Sequence, residues 1–467
     1  MKLLKFISEG KNFSVSRLLF IFFLPFLTCP GFINAQWQTT KTFQFSKGYD
    51  FQGLRVEYLQ NGDYIVCGNI VDTIILDKYN AIYPSANPGI YVARFNAQDS
   101  VIWKQVFQPT GISSSVSITE NIEIVNNQHI IVAGSFKGSV RFPNGTNKTA
   151  SNTDAYWLRF DTDGKVKGLG TYPKGIISAF TVSEDLKIAI GGRLASNPSG
   201  AFIGIYDSLG NLLSKGDKFF LGTSQNRDIV NALCFGKDNS LYFAGKANGD
   251  SIGLNNLPFI DAPNDINRYT LFYGKFNPDL SASWIKGAKP MGGTRPYQFT
   301  IKKILYQKKL NKVLYAGMFE GANYQVDNDT LAITSLVNTD SRKPIILCTD
   351  TAGNLAWHNS LKLDKENQRG EIFTLSETSD GYIVTADLEH YLNTPITLGE
   401  VEFKFNNKAF LILWMDSIGN FTQAFGTNPT EKVKVNNVLS AAYHPQNGLK
   451  ITLINSVSDS VSIPKKT

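Results

Sequence analysis

The chain has 467 residues, of which 42% are hydrophobic and 18% charged, with 46 basic and 39 acidic side chains and a net charge of +7. That length supports a large core or several domains, and so mild a charge argues against a nucleic-acid partner. Of the four cysteines, the three after residue 35 are an odd, sparse count that argues against a disulfide framework.

The first 35 residues read as an export signal. Lys2, Lys5, Lys11 and Arg17 give a basic start, Leu18 to Leu27 is an apolar run broken by Pro25, and Ile33-Asn34-Ala35 sets a small residue before Gln36. The run is short for a membrane span, which needs roughly 20 residues, so cleavage is expected rather than anchoring. Cys29 follows Phe26-Leu27-Thr28, a poor lead-in for lipidation. No stable transmembrane segment is expected after cleavage, and the expected location is secreted or cell-surface, with the periplasm open. Without residues 1–35 the chain keeps 42 basic and 38 acidic residues, a net charge of +4. Cys67, Cys234 and Cys348 each sit inside an apolar strand and are expected as buried thiols.

From residue 36 to 467 the sequence reads as one repetitive domain. A strand ending in a small residue recurs as Tyr64-Ile-Val-Cys-Gly68, Ile131-Val-Ala-Gly134, Ile188-Ala-Ile-Gly191, Leu241-Tyr-Phe-Ala-Gly245, Val313-Leu-Tyr-Ala-Gly317 and Tyr382-Ile-Val-Thr-Ala386. Each is followed by a second, alternating strand and a tight turn. The turns Asp161 to Gly164, Asp207 to Gly210, Asp350 to Gly353 and Asp416 to Gly419 share the form Asp-x-x-Gly, in which the Asp caps its own backbone and Gly accepts positive φ. Seven positions after the first turn residue lies Trp103, Trp284 or Trp357, replaced in other copies by Gly168, Ser214 and Gln423. A weaker seventh copy runs from Asn447 to Ile454.

Several short strands per unit, at a period of about 65 residues, predict ringed β-units. The units run at about 50–111, 112–175, 176–224, 225–290, 291–363, 364–431 and 432–467 plus 36–48. In the second, strands are expected near Asn121 to Val125, His129 to Phe136 and Tyr156 to Phe160, with a fourth after the turn. Trp37 begins a segment like that at Trp103, so the N-terminus is expected as an outermost strand. The fold class expected is all-β, a seven-bladed β-propeller with an incomplete or composite last blade closed by the N-terminal strand. Trp103, Trp157, Trp284, Trp357 and Trp414 are expected between blades.

The pair Ile131 to Phe136 and Ala155-Tyr-Trp-Leu-Arg-Phe-Asp-x-Asp-Gly164 resembles the SBBP-type β-propeller repeat of secreted bacterial proteins, over most of the chain after residue 35. The turn and Trp of Asp350 to Trp357 also resemble the tryptophan docking motif of quinoprotein-like propellers. These resemblances imply a fold and a location, not an activity.

The sequence carries little recognisable chemistry. His129, His358, His390 and His444 show no metal-ligand spacing, and there is no Gly-x-Ser-x-Gly elbow. No cofactor, metal or catalytic residue is expected. Arg227, Arg295 and Arg369 each precede an inner strand and are candidate ligands for a carboxylate, sulfate or acidic sugar through forked hydrogen bonds. Glu57, Glu120, Glu123 and Glu371 are candidates to face the central channel, where a carboxylate pair at the right separation would suit glycoside chemistry. Lys302, Lys303, Lys308, Lys309 and Lys312 read as a solvated hairpin. The function expected is a non-catalytic recognition or scaffold module for a glycan or cell-surface protein, acting through one loop face. The alternatives are a glycosidase or lyase using channel carboxylates, and a structural part of a surface assembly. Oligomeric state is left open.

Overall fold

A computed structural model describes residues 18–23, 38–45, 55–70, 74–76, 81–82, 88–111, 113–195, 200–215, 228–247, 251–252, 257, 260–261, 268–291, 297–320, 323–326, 329–331, 342–360, 368–378, 380–390, 396–398, 401–403, 407–426, 433–444 and 448–457. Of 18–45 and 433–457 the backbone alone is described. Every regular element among these residues is a β-strand.

Unit 2 shows the local plan: four antiparallel strands, Ser115–Val125, His129–Arg141, Asn147–Phe160 and Val166–Tyr172, each paired with the one before it. The same order of inner, second, third and outer strand recurs in units 1, 3, 4, 5 and 6. Alternation along the second and third strands sends neighbouring side chains to opposite faces. Ile130 and Val132 pack with Ile65 and Val92 of unit 1, whereas Ile131 and Ala133 pack with Ile188 and Ile190 of unit 3. The hydrophobic core is therefore a series of layers between successive sheets, and these strands are apolar on both faces because both are covered.

The inner strands pack side by side around a common channel. Arg55–Tyr58 touches Ser115–Val125, followed in chain order by Gly175–Val182, Ile229–Phe235, Tyr297–Gln307, Gln368–Glu377 and Val433–His444, and the last also touches Arg55–Tyr58. Sheets radiating from a shared channel are the arrangement of a β-propeller.

The recurring small residue has a steric cause. The inner strand bulges opposite it, leaving Ser178, Asn231 and Lys302 without a partner residue on the second strand. The bulge drives a carbonyl toward the second strand: a Cβ on Gly317 would lie 2.0 Å from the Thr300 oxygen, and one on Gly245 would lie 2.2 Å from that of Ile229. In unit 3 the equivalent position is Gly192, 2.0 Å from the Ile176 oxygen, one residue later than the repeat alignment suggests.

Neighbouring units lock through the turns. Trp103 of unit 1 donates its indole N–H to the Thr162 carbonyl (2.7 Å) and lies against Gly164, where a Cβ would meet the ring at 2.7 Å. Trp284 does the same to Thr351 (3.2 Å) and Gly353, and Trp357 lies against Gly419. Gly164 also has φ +79°, so both its conformation and its close approach require glycine. Where Gly168 replaces the Trp, backbone meets backbone: a Cβ there would lie 2.5 Å from the Ser208 oxygen. Trp157 differs, being a fully buried third-strand residue beside Tyr206.

The apolar run expected within a leader forms a strand here. Leu18–Phe23 pairs antiparallel with Gly448–Val457 and with Gln38–Phe45, and Gln38–Phe45 pairs with Ile74–Ile75 of unit 1. A like contact joins the outer strand of unit 4, Ala282–Met291, to Asn323–Val326 of unit 5. Trp37 lies outside the described residues. Among the described residues no helix is long and apolar enough to cross a membrane.

Candidate functional site

A cavity of about 930 Å³ lies on the channel, lined by side chains from the inner strands of units 1 to 6. Glu57 comes from unit 1, Glu123 from unit 2, Thr181 from unit 3, Asn231 from unit 4, Lys302 and Lys303 from unit 5, and Leu375 from unit 6. It reaches Gln60, Asn127, Glu184, Lys237 and Lys308, all in turns between an inner and a second strand. The cavity therefore opens on the hairpin-turn face. The described inner strands begin at the other end, and Arg227 and Arg295 precede two of them in sequence.

The bulges place part of this lining. Strict alternation would keep successive residues of an inner strand on opposite faces, but the extra residue in each bulge breaks that pattern. Ser178, Asn231 and Lys302 are those extra residues, and all three line the cavity. The reading of the unit 5 lysines as a solvated hairpin is thereby corrected at Lys302 and Lys303, whereas Lys308 and Lys309 are exposed as that reading has them. Lys302 and Lys303 line the cavity, and Lys308 reaches Glu184 of unit 3 in an exposed ion pair.

Two of the four candidate carboxylates, Glu57 and Glu123, line the cavity. Glu57 Oε1 accepts the Tyr58 backbone N–H at 3.2 Å, and Glu123 Oε2 accepts the Val182 N–H at 2.7 Å and the Thr181 hydroxyl at 3.5 Å. Burial pushes the Glu57 carboxyl up to about 7, against the Tyr58 bond and the charge of Lys303. Burial likewise pushes Glu123 up to about 7, against the Val182 bond, Lys303 and Thr181, with the Glu57 charge adding to the rise. Both groups thus exchange protons near neutrality, where a carboxyl in water is fully ionised. Glu371 forms an ion pair with the cavity residue Lys302 (2.9 Å). The Glu120 side chain lies outside the described residues.

The mouth is stitched turn to turn. Gln60 N–H donates to Asn127 Oδ1 (2.7 Å), Asn126 Nδ2 to the Glu184 carbonyl (3.3 Å), and Asn239 Nδ2 to Asp185 Oδ2 (3.1 Å). These bonds hold the rims of units 1 to 4 at fixed spacing, which preorganises the opening.

Arg227 and Arg295 lie outside the described residues, and of Arg369 the backbone alone is described. Arg369 pairs in parallel register with Arg342, whose Nε binds Glu320 Oε2 at 3.0 Å. Among the thiols, Cys67 and Cys348 are buried, but Cys234 is half-buried and lines the cavity, with burial pushing it up to about 12. His129 contacts Arg159 through Nδ1 (3.2 Å), away from the cavity lining. Among the described residues no group of three or more His, Cys, Asp or Glu is placed to hold a metal.

No protein-family model matches the chain, so the SBBP-type resemblance rests on the residues quoted for it alone, and no curated protein matches either. Solved structures similar to the chain include the Dos1 propeller, at 10% identity and a TM-score of 0.41 over 88% of this chain and 80% of that one. The Pseudomonas aeruginosa periplasmic gluconolactonase PpgL is similar at 12% identity and a TM-score of 0.38, over 81% of this chain and 97% of that one. The C-terminal WD40 domain of Sif2 is similar at 8% identity and a TM-score of 0.34, over 86% and 96%.

Proposed function

We propose that this chain is an exported, non-catalytic recognition module that takes a glycan into its channel from the hairpin-turn face. The observation that carries the reading is the cavity itself. Its volume of about 930 Å³ is at the upper end of small-molecule sites, and polar groups from different units converge on apolar walls such as Phe180 and Ile122. A protein partner would instead favour a flat apolar loop face.

The scaffold belongs to the same proposal: seven blades, the last one composite. Its support is the cyclic order of inner-strand contacts, together with the Gln38–Phe45 strand, which meets unit 1 as the outer strand of unit 4 meets unit 5. Export with cleavage after Ala35 remains part of the reading. Such cleavage removes Leu18–Phe23 from the last sheet, so the mature N-terminus decides which role that run plays.

One observation favours a second reading. Glu57 and Glu123 share the cavity, and burial pushes both carboxyls up to about 7, the range in which one of a pair can serve as acid while the other, ionised, serves as base. A glycan array followed by product analysis of every hit tests both. Binding without turnover supports the recognition module, cleavage of a bound glycan replaces it with the enzyme, and silence on the array refutes both.

A further inference from the structure

We propose that loss of the leader opens a strand-sized slot in the last sheet, and that this slot takes an extended apolar strand from another polypeptide. The inference rests on the export reading above, with cleavage after Ala35, and goes beyond it to an interaction surface.

The strand order of the last sheet carries the argument. Val433–His444 pairs with Gly448–Val457, which pairs with Leu18–Phe23, which pairs with Gln38–Phe45, every step antiparallel. Leu18–Phe23 therefore stands where the third strand of a unit belongs. Its residues Leu18 to Phe22 face Asn455 to Ile451 on one side, and Leu18 to Phe23 face Gln44 to Gln38 on the other. Cleavage after Ala35 takes this strand away and unpairs both neighbours at once. Among the described residues, Gly448–Val457 then keeps Val433–His444, and Gln38–Phe45 keeps the pairing of Gln44 and Phe45 with Ile75 and Ile74 of unit 1. Two strand spacings set the flanking edges about 9–10 Å apart, room for one strand bonded to both. Edges left unpaired in this way are templates for strand addition.

The position decides the chemistry of the occupant. Third strands elsewhere are covered on both faces: Ala201–Tyr206 is buried at every residue, as are Ala155 to Phe160 and Lys343 to Thr349. Such a place demands a strand with apolar residues on both faces. Leu18-Leu-Phe-Ile-Phe-Phe23, which fills it here, is apolar at every residue. The sequence from Ser458 to Thr467 does not meet the demand. It has Val461 and Ile463 among Ser, Asp and Lys residues, and Pro464 has no N–H to donate. The occupant is accordingly an extended segment of a partner protein, as long as the run it replaces and without charge or proline in that stretch.

The test adds a strand in trans. The exported protein, its N-terminus first read by intact mass, is titrated with a labelled synthetic peptide spanning Ser16 to Leu24, with lysines appended at one end for solubility. Saturable binding of one peptide per chain is expected, with Tm raised by about 2–5 °C at a hundredfold excess over Kd. Phe20→Pro in the peptide interrupts backbone pairing in mid-strand, and Leu19→Lys with Ile21→Lys puts charge on a covered face. Each altered peptide should bind at least about tenfold more weakly. Because these changes are in the peptide, the fold of the protein is untouched. No saturable binding, or equal binding of all three peptides, overturns the slot while leaving the cleavage reading in place. A dimer of the exported protein that the peptide does not disperse also overturns it, since a second copy is then the occupant. Leu18–Phe23 retained in the exported protein overturns the cleavage reading and the slot with it.

Discussion

Neutralising either cavity carboxyl should make the protein more stable at alkaline pH and change little at acid pH. The carboxyls of Glu57 and Glu123 are raised from an ordinary 4.5 to about 7 in the folded chain. Below 4.5 both groups are protonated whether folded or unfolded, and they contribute nothing. Between 4.5 and 7 the unfolded chain ionises while the folded chain keeps its protons, so folding stability falls as pH rises. Above 7 the penalty is constant. A shift of that size corresponds to about 3 kcal/mol per group. Because both side chains are only half-buried and face a cavity open to water, screening reduces this, so about 1–2 kcal/mol is expected at each site. The two penalties are not additive, since each charge raises the other. Urea unfolding at pH 5 and pH 8 measures the effect. The stability difference between Glu57→Gln and wild type should grow by about 1–2 kcal/mol from the lower pH to the higher. Comparing variant with wild type cancels the turn aspartates, such as Asp161 and Asp350, which are held below their ordinary range and act in the acid region. A difference that does not change with pH would refute the claim that these carboxyls are buried against their charge.

Other outcomes follow from the packing. Gly164→Ala forces a Cβ against the Trp103 ring at positive φ and should cost about 1–3 kcal/mol in chemical denaturation, with a change in tryptophan fluorescence. Gly317→Ala should cost a similar 1–3 kcal/mol by pressing on the Thr300 carbonyl at the bulge, roughly, whereas Ala386→Gly in unit 6 should be nearly silent in the same assay. Trp157→Ala should cost about 3–5 kcal/mol, because the ring is wholly buried between units 2 and 3. Intact mass of the exported protein should place the N-terminus at Gln36, and recovery of Leu18–Phe23 in the mature chain would make that run a structural strand instead.

Much of the scaffold could be read from residue order alone, because the repeat has direct physical causes. The small residue recurs since a bulged carbonyl leaves little or no room for a side chain, and the turn glycine recurs since an indole lies on it. The repeat alignment slipped by one in unit 3, where Gly191 and Gly192 both satisfy the pattern and only the register tells them apart. The site was partly legible. Glu57 and Glu123 lie on inner strands, and position in the repeat was enough to place them on the channel. The contribution of Lys302 and Lys303 was hidden, because period-two alternation carries no sign of the bulge that redirects them. The cavity opens among the turns between inner and second strands, a choice that depends on how side chains fill the channel and not on strand order.

The face that binds is the central claim, and one comparison tests it most directly. The array hits of wild type would be re-measured with a double variant, Glu57→Gln with Glu123→Gln, and with a triple variant, Arg227, Arg295 and Arg369 each to Ala. The channel account predicts that binding is lost or changed in specificity in the double variant and preserved in the triple variant. Loss in the triple variant with wild-type binding in the double variant would contradict it and move the site to the opposite face.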